Sequence, residues 1–217
     1  MSLVKIEAVL FDLDGTVIDS YPGIQNAFDN AYLKLYSITN KISIRPFIGP
    51  PMHEILVKVN GETDEEKMEE FVRLFKHSYD TEDFKSSVLY NGMRELLERL
   101  SLSGIKLFIV TNKRKKPTEL ITKYLNIEHY FCALYCIDSK DGYYSKAQMV
   151  KDILEGEGLS SDKCVLIGDT YQDETSAKPN NITFIYAEYG YGNLAKTDNS
   201  IIQPLDTLKF INNIYEE

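Results

Sequence analysis

The stretch Ile6–Phe11 (IEAVLF) runs directly into Asp12-Leu13-Asp14-Gly15-Thr16. Six residues with one charge among them, closed by a turn-forming acid, read as a short parallel strand buried on both faces. Similar apolar runs recur at Lys106–Val110, Ala133–Ile137, Cys164–Ile167 and Thr183–Tyr186. Helical spacing fills most of the intervals, at Met93, Leu96, Leu97 and Leu100, at Ile121, Tyr124 and Leu125, and at Met149, Val150, Ile153 and Leu154. Strands alternating with helices predict an α/β fold: a Rossmann-like parallel sheet with helices on both faces.

The segment from Tyr21 to Tyr90 breaks that alternation. It carries helical spacing at Ala27, Ala31 and Leu35, then at Phe71, Leu74 and Phe75, with Pro46, Gly49, Pro50 and Pro51 as a stiff loop between. A connection this long predicts an inserted α-helical cap subdomain over 16–90, with the α/β core formed by 1–15 and 91–217.

The 217 residues carry 33 acids and 24 bases, a net charge of −9. That balance argues against a nucleic-acid binder, whose affinity rests on a basic face. No apolar run approaches the ~20 residues of a membrane helix, and the first residues are too charged for a signal peptide, so a cytoplasmic protein is expected. Cys132, Cys136 and Cys164 make neither a disulfide framework nor a zinc pattern and read as packing residues. His53, His77 and His129 are not spaced as metal ligands.

In open α/β sheets ligands bind beyond the carboxyl ends of the strands. That edge would gather Asp12 and Asp14 after the first strand, Thr111 and Asn112 after the second, and Asp169 and Asp173 after the fourth. Lys146, at the start of the helix before that fourth strand, joins them. Like charges about 4 Å apart repel by roughly 4 kcal/mol at an effective dielectric near 20. A hard divalent ion with oxygen ligands relieves such crowding, and Mg²⁺ is the natural choice beside a phosphate. A strand-end carboxylate can attack phosphorus, and a second carboxyl two residues on can exchange protons with the leaving oxygen and with water. Asp169 and Asp173 also fit a solvated helix start, and Lys113-Arg114-Lys115-Lys116 reads as another.

Asp12-Leu-Asp-Gly-Thr, Thr111-Asn, Lys146 and Gly168-Asp169-x-x-x-Asp173 resemble, in order, the four motifs of the haloacid dehalogenase superfamily. The resemblance covers essentially the whole chain. Within the superfamily the chain resembles phosphoglycolate phosphatases and their relatives with a helical cap after the first motif, supported by Phe47-Ile-Gly-Pro-Pro, Tyr90-Asn-Gly-Met-Arg-Glu-Leu-Leu and Tyr189-Gly-Tyr-Gly.

It implies a Mg²⁺-dependent phosphatase working on a small phosphorylated metabolite through an aspartyl-phosphate, with phosphoglycolate one candidate. Asp12 would be the nucleophile and a metal ligand. Asp14 would be the general acid/base, with its backbone carbonyl on the metal. Asp169 and Asp173 would complete the metal site. Thr111, Asn112 and Lys146 would hold the phosphoryl group, and Arg45 and Gly49 would contact substrate from the cap. The dehalogenases of the superfamily lack an acid at the position of Asp14. A phosphomutase similar to β-phosphoglucomutase shares every one of these motifs. A binding protein on this fold without turnover would be expected to have lost one of these carboxyls. Two differences from phosphoglycolate phosphatases stand out: Ala147 where proline often follows the lysine, and Asn180-Asn181 where a glycine is usual.

Overall fold

The computed structural model describes residues 5–49, 51–142 and 144–211. Two compact units divide the chain between Asp19 and Ser20 and between Val88 and Leu89.

The larger unit is built on a six-stranded parallel sheet in the order β5-β4-β1-β6-β7-β8. Its strands are β1 (Ala8–Phe11), β4 (Lys106–Thr111), β5 (Ala133–Cys136), β6 (Cys164–Gly168), β7 (Thr183–Ala187) and β8 (Ser200–Ile201). β2 (Ile18–Asp19) and β3 (Val88–Leu89) form a separate two-stranded sheet. Helices α4 (Met93–Leu102), α5 (Lys115–Tyr124), α6 (Lys146–Glu157) and α7 (Tyr171–Ala177) lie between the strands. Successive side chains of a strand point to opposite faces, so a strand buried on both faces must be apolar throughout. Leu10, Phe108, Val110 and Leu166 pack with Met149, Val150 and Ile153 of α6. Their neighbours Val9, Phe11, Leu107, Ile109 and Ile167 point to the opposite face and are equally buried. Each such side chain contributes roughly 1.5–3 kcal/mol over an exposed one.

β1 lies at the centre of the sheet. The chain runs outward through β4 and β5 on one side, then through β6, β7 and β8 on the other. This reversal of direction opens a crevice at the carboxyl ends of the central strands.

The first strand is shorter than its apolar run, since Ile6 and Glu7 precede it, and β8 lies in a polar stretch with no apolar run of its own. Met93, Leu96, Leu97 and Leu100 are all buried, but Tyr124 ends α5 on the exposed face. Asn181 does take the left-handed conformation, at φ 53°. The Asn180 side-chain amide donates to the Ala147 carbonyl at 2.9 Å, joining the two positions that differ from phosphoglycolate phosphatases.

The smaller unit is helical: α1 (Tyr21–Tyr36), α2 (Met52–Asn60) and α3 (Glu65–Thr81). α1 and α3 pack through Phe28 and Phe71, whose rings meet edge-on with centroids 5.0 Å apart. Ala27, Ala31 and Phe71 are buried as their spacing predicts, while Leu35, Leu74 and Phe75 are half-buried. Pro50, part of the expected stiff loop, lies outside the described residues. No helix among the described residues is long and apolar enough to cross a membrane.

Candidate active site

Parallel pairing sets the site. Phe11 is in register with Ile109 of β4 and Ile167 of β6. The Asp12 N–H donates to the Ile167 carbonyl at 2.9 Å, so Asp12 leaves the sheet beside Thr111 and Asp169. Lys146 arrives from α6, whose start is fixed by the Ser145 hydroxyl accepting the Gln148 N–H at 3.2 Å. The buried Lys146 ammonium donates to Asp12 Oδ1 at 2.7 Å and to Asp173 Oδ1 at 2.5 Å.

Asp12, Asp169 and Asp173 each offer an oxygen, and the three lie within 4.8 Å of one another. They are the only such cluster of potential ligands among the described residues. Asp169 Oδ2 accepts the backbone N–H groups of Tyr191 (2.7 Å) and Gly192 (3.2 Å). This contact requires glycine: a Cβ at Gly192 would sit 1.7 Å from the Asp169 carbonyl oxygen. Gly15, at φ +85°, makes a similar close approach, with Asp169 Oδ2 2.4 Å from the place of its absent Cβ. Asp173 Oδ2 accepts the Thr170 N–H (3.0 Å) and hydroxyl (2.6 Å), so this carboxylate also caps α7. It is fully buried rather than solvated, because Lys146 compensates its second oxygen.

Three buried carboxyls share one buried ammonium. Burial drives the Asp12 carboxyl well above its usual range, with Asp173 and Asp169 adding to the rise and Lys146 opposing it. Burial and Asp173 push Asp169 up to about 6 despite its two backbone donors. For Lys146, burial works against the charge, yet Asp12 and Asp173 outweigh it and raise its pKa. The cluster therefore holds excess negative charge that a proton or a cation must balance. An all-oxygen donor set fits a hard divalent cation, not a thiophilic metal.

Of the other expected residues, Thr111 is buried at the same edge. Its Oγ1 accepts the Lys113 N–H at 3.1 Å, leaving the hydroxyl proton to donate elsewhere. The Asn112 amide donates to Gln172 Oε1 at 2.7 Å. Asp14 is paired through both oxygens with Lys113 Nζ, at 3.0 and 3.1 Å. The expectation of a solvated basic run thus fails at Lys113, whose stem is enclosed and whose head meets a carboxylate. Arg45 and Gly49 belong to the smaller unit. There the Arg45 guanidinium lies 5.4 Å from the Tyr21 ring centroid, and Gly49 is exposed.

Sequence reasoning did not assign the Asp169 donors, since backbone N–H groups leave no side-chain signature. The two glycines of Tyr189-Gly-Tyr-Gly were the available signal. Cys136 and Cys164 are buried, which pushes both thiols up to about 11. Cys132 is exposed, contrary to its reading as a packing residue, because it precedes β5 rather than lying within it.

The sequence pattern of the haloacid dehalogenase-like hydrolase family matches residues 9–187. A 5′-nucleotidase from Pseudomonas aeruginosa is 28% identical over 185 residues, spanning 85% of this chain and 83% of its own. A pyrophosphatase PpaX from Bacillus cereus is 29% identical over 174 residues, 78% of this chain and 77% of its own. Among solved structures, a haloacid dehalogenase-like family hydrolase from Streptococcus pneumoniae superposes with a TM-score of 0.83 at 28% identity. It covers 94% of this chain and 98% of that one. The matched span begins within β1 and ends with β7, so it takes in every strand that delivers a carboxylate to the site. The chain belongs to the haloacid dehalogenase-like hydrolase family.

Proposed function

We propose that the protein is a Mg²⁺-dependent phosphatase that hydrolyses a small phosphorylated metabolite through an aspartyl-phosphate on Asp12. One observation carries the reading: the buried Lys146 ammonium between Asp12 and Asp173, with Asp169 completing the same oxygen cluster. The names of the two relatives, a nucleotidase and a pyrophosphatase, support phosphate-ester or anhydride chemistry without choosing between substrates.

Asp12, Asp169, Asp173 and the Asp14 backbone carbonyl are the residues that would hold Mg²⁺, which when bound supplies positive charge against the phosphoryl oxygens. In the first step an Asp12 carboxylate oxygen bonds to phosphorus as the ester P–O bond breaks. The bonding pair leaves with the ester oxygen, which takes a proton from Asp14. In the second step water attacks phosphorus, Asp14 takes the water's proton, and Asp12 is released with inorganic phosphate. Lys146, Thr111 and Asn112 hold the non-bridging oxygens. The smaller unit acts as a cap, with Arg45 and Gly49 among its substrate contacts.

Purified protein is expected to hydrolyse p-nitrophenyl phosphate with Mg²⁺ and to stop when EDTA is added. Asp12→Asn lowers kcat by about 10⁴-fold or more, as loss of a covalent nucleophile does. Activity that survives that substitution overturns the nucleophile assignment. Comparing kcat/KM for phosphoglycolate, nucleoside monophosphates, pyrophosphate and hexose phosphates identifies the substrate class. Phosphate appearing on a sugar rather than in solution would make the protein a mutase.

A further inference from the structure

The Lys113–Asp14 pair is far more enclosed than the ion pairs along the helices. The pairs along helices join side chains that are largely exposed, such as Arg73 with Glu70 at 67% and 40%. Lys113 and Asp14 are 8% and 20% exposed. They are 99 residues apart in sequence and bridge the ends of two neighbouring strands rather than successive turns of one helix.

Both backbones are pinned. The Lys113 N–H is tied to Thr111 Oγ1 at the end of β4. Asp14 sits in a tight loop closed by the Val17 and Ile18 N–H groups on the Leu13 carbonyl, both at 3.0 Å, and by the Gly15 N–H on the Ile18 carbonyl at 2.8 Å. The Asp14 side chain keeps two rotatable bonds beyond that rigid loop. A bidentate contact from an enclosed ammonium removes the freedom of both.

We propose that Lys113 is a positioning residue, whose ammonium holds the Asp14 carboxyl group where it can reach the leaving oxygen. The inference rests on the reading of Asp14 as the general acid. Placing a proton donor matters most for a leaving group that cannot depart without a proton, and least for one that can. Lys113 should therefore matter for alkyl phosphates and hardly at all for activated aryl phosphates.

The test uses full-length protein with Mg²⁺ and compares kcat/KM for β-glycerophosphate and 2,4-dinitrophenyl phosphate. This constant reports the steps up to departure of the leaving group, so slow release of Asp12 does not affect it. Lys113→Met should lower kcat/KM about tenfold on the alkyl ester and less than about twofold on the aryl ester, with Lys113→Arg restoring most of the alkyl activity. Thermal melts by circular dichroism identify variants that fail to fold, and Lys113→Gln, expected to show the same inequality, carries the test if methionine is not tolerated. Asp14→Asn is the reference and should show the same inequality, more strongly. Equal falls for Lys113→Met beside unequal falls for Asp14→Asn overturn the role of Lys113 and make it a phosphate contact. Equal falls for Asp14→Asn overturn the general-acid reading beneath it.

Discussion

Both units carry a net negative charge and use it in opposite ways. Residues 20–88 hold 11 acids and 8 bases, and the remainder holds 22 and 16. In the smaller unit the charges sit on helix surfaces, as with Arg73 and Glu70 of α3, 67% and 40% exposed. Pairs of that kind contribute little and are common on any solvated helix. In the larger unit Asp12, Asp169, Asp173 and Lys146 are all buried within one cluster. Removing charges from water costs several kcal/mol per ion before pairing recovers part of it. A fold that bears this cost several times over at one sheet edge marks that edge as the place where charge has a task.

The largest expected effect comes from breaking the buried cluster. Lys146→Met keeps the stem's volume and removes the ammonium. Asp12 and Asp173 then face each other without their shared partner. We expect kcat on an aryl phosphate to fall about 10³-fold, as when a preorganised donor to the phosphoryl group is lost. Unfolding in urea without Mg²⁺ should become easier by about 3 kcal/mol, since a buried pair has lost one member. A variant with near-normal kcat would show that the cluster is structural and would remove the contrast between the units.

A second substitution tests the smaller unit on its own terms. Phe28 is fully buried, edge-on to Phe71 and stacked with Tyr32 at 6.0 Å. Phe28→Ala should cost that unit about 3–4 kcal/mol through lost burial and the cavity left behind. Mg²⁺ binding followed by calorimetry should be unchanged, because none of the proposed ligands lies within 20–88. Loss of Mg²⁺ binding would show that the metal site depends on residues the cluster does not include.

The same contrast explains what could be read from the sequence. The strands were legible because two-sided burial demands unbroken apolar runs, and the site was legible because the runs of β1, β4 and β6 end in chemically distinctive residues. β8 was not legible: two residues at a sheet edge need no apolar run. The Asp169 clamp was not legible either, since its donors are backbone amides that any residue supplies. Asp173 fitted a solvated helix start as well as a metal site, because a capping acid and a buried acid look alike in sequence. What separates them is Lys146, 27 residues earlier in the chain. Lys113 was hidden for a related reason: its neighbours Arg114, Lys115 and Lys116 make the run resemble an ordinary solvated patch. In the smaller unit, spacing found α1 and α3, while α2, where only Ile55 and Leu56 are buried, gave a weaker pattern.

If a place at the carboxyl ends of the central strands, not membership of the larger unit, decides which charges have a task, an acid of that unit outside this edge should behave as a simple staple. Asp152 provides the case, on the same helix as Lys146. Its carboxylate accepts from Lys140 Nζ at 2.5 Å, the Tyr144 hydroxyl at 2.6 Å and the Gln148 amide at 2.9 Å. The Lys140 contact, followed by Tyr144, lowers its pKa to about 2. A carboxyl whose pKa is depressed on folding contributes stability above its unfolded value near 4, and that stability is lost as pH falls toward the folded value. Asp152→Asn should therefore be less stable than the parent by about 1 kcal/mol at pH 6, after allowance for solvent screening. The gap should narrow through pH 4 and 3 as the parent's carboxyl takes up its proton. Urea unfolding at those three pH values measures it, with kcat at pH 7 unchanged. A large loss of kcat would place Asp152 among the working charges and break the rule that the sheet edge selects them.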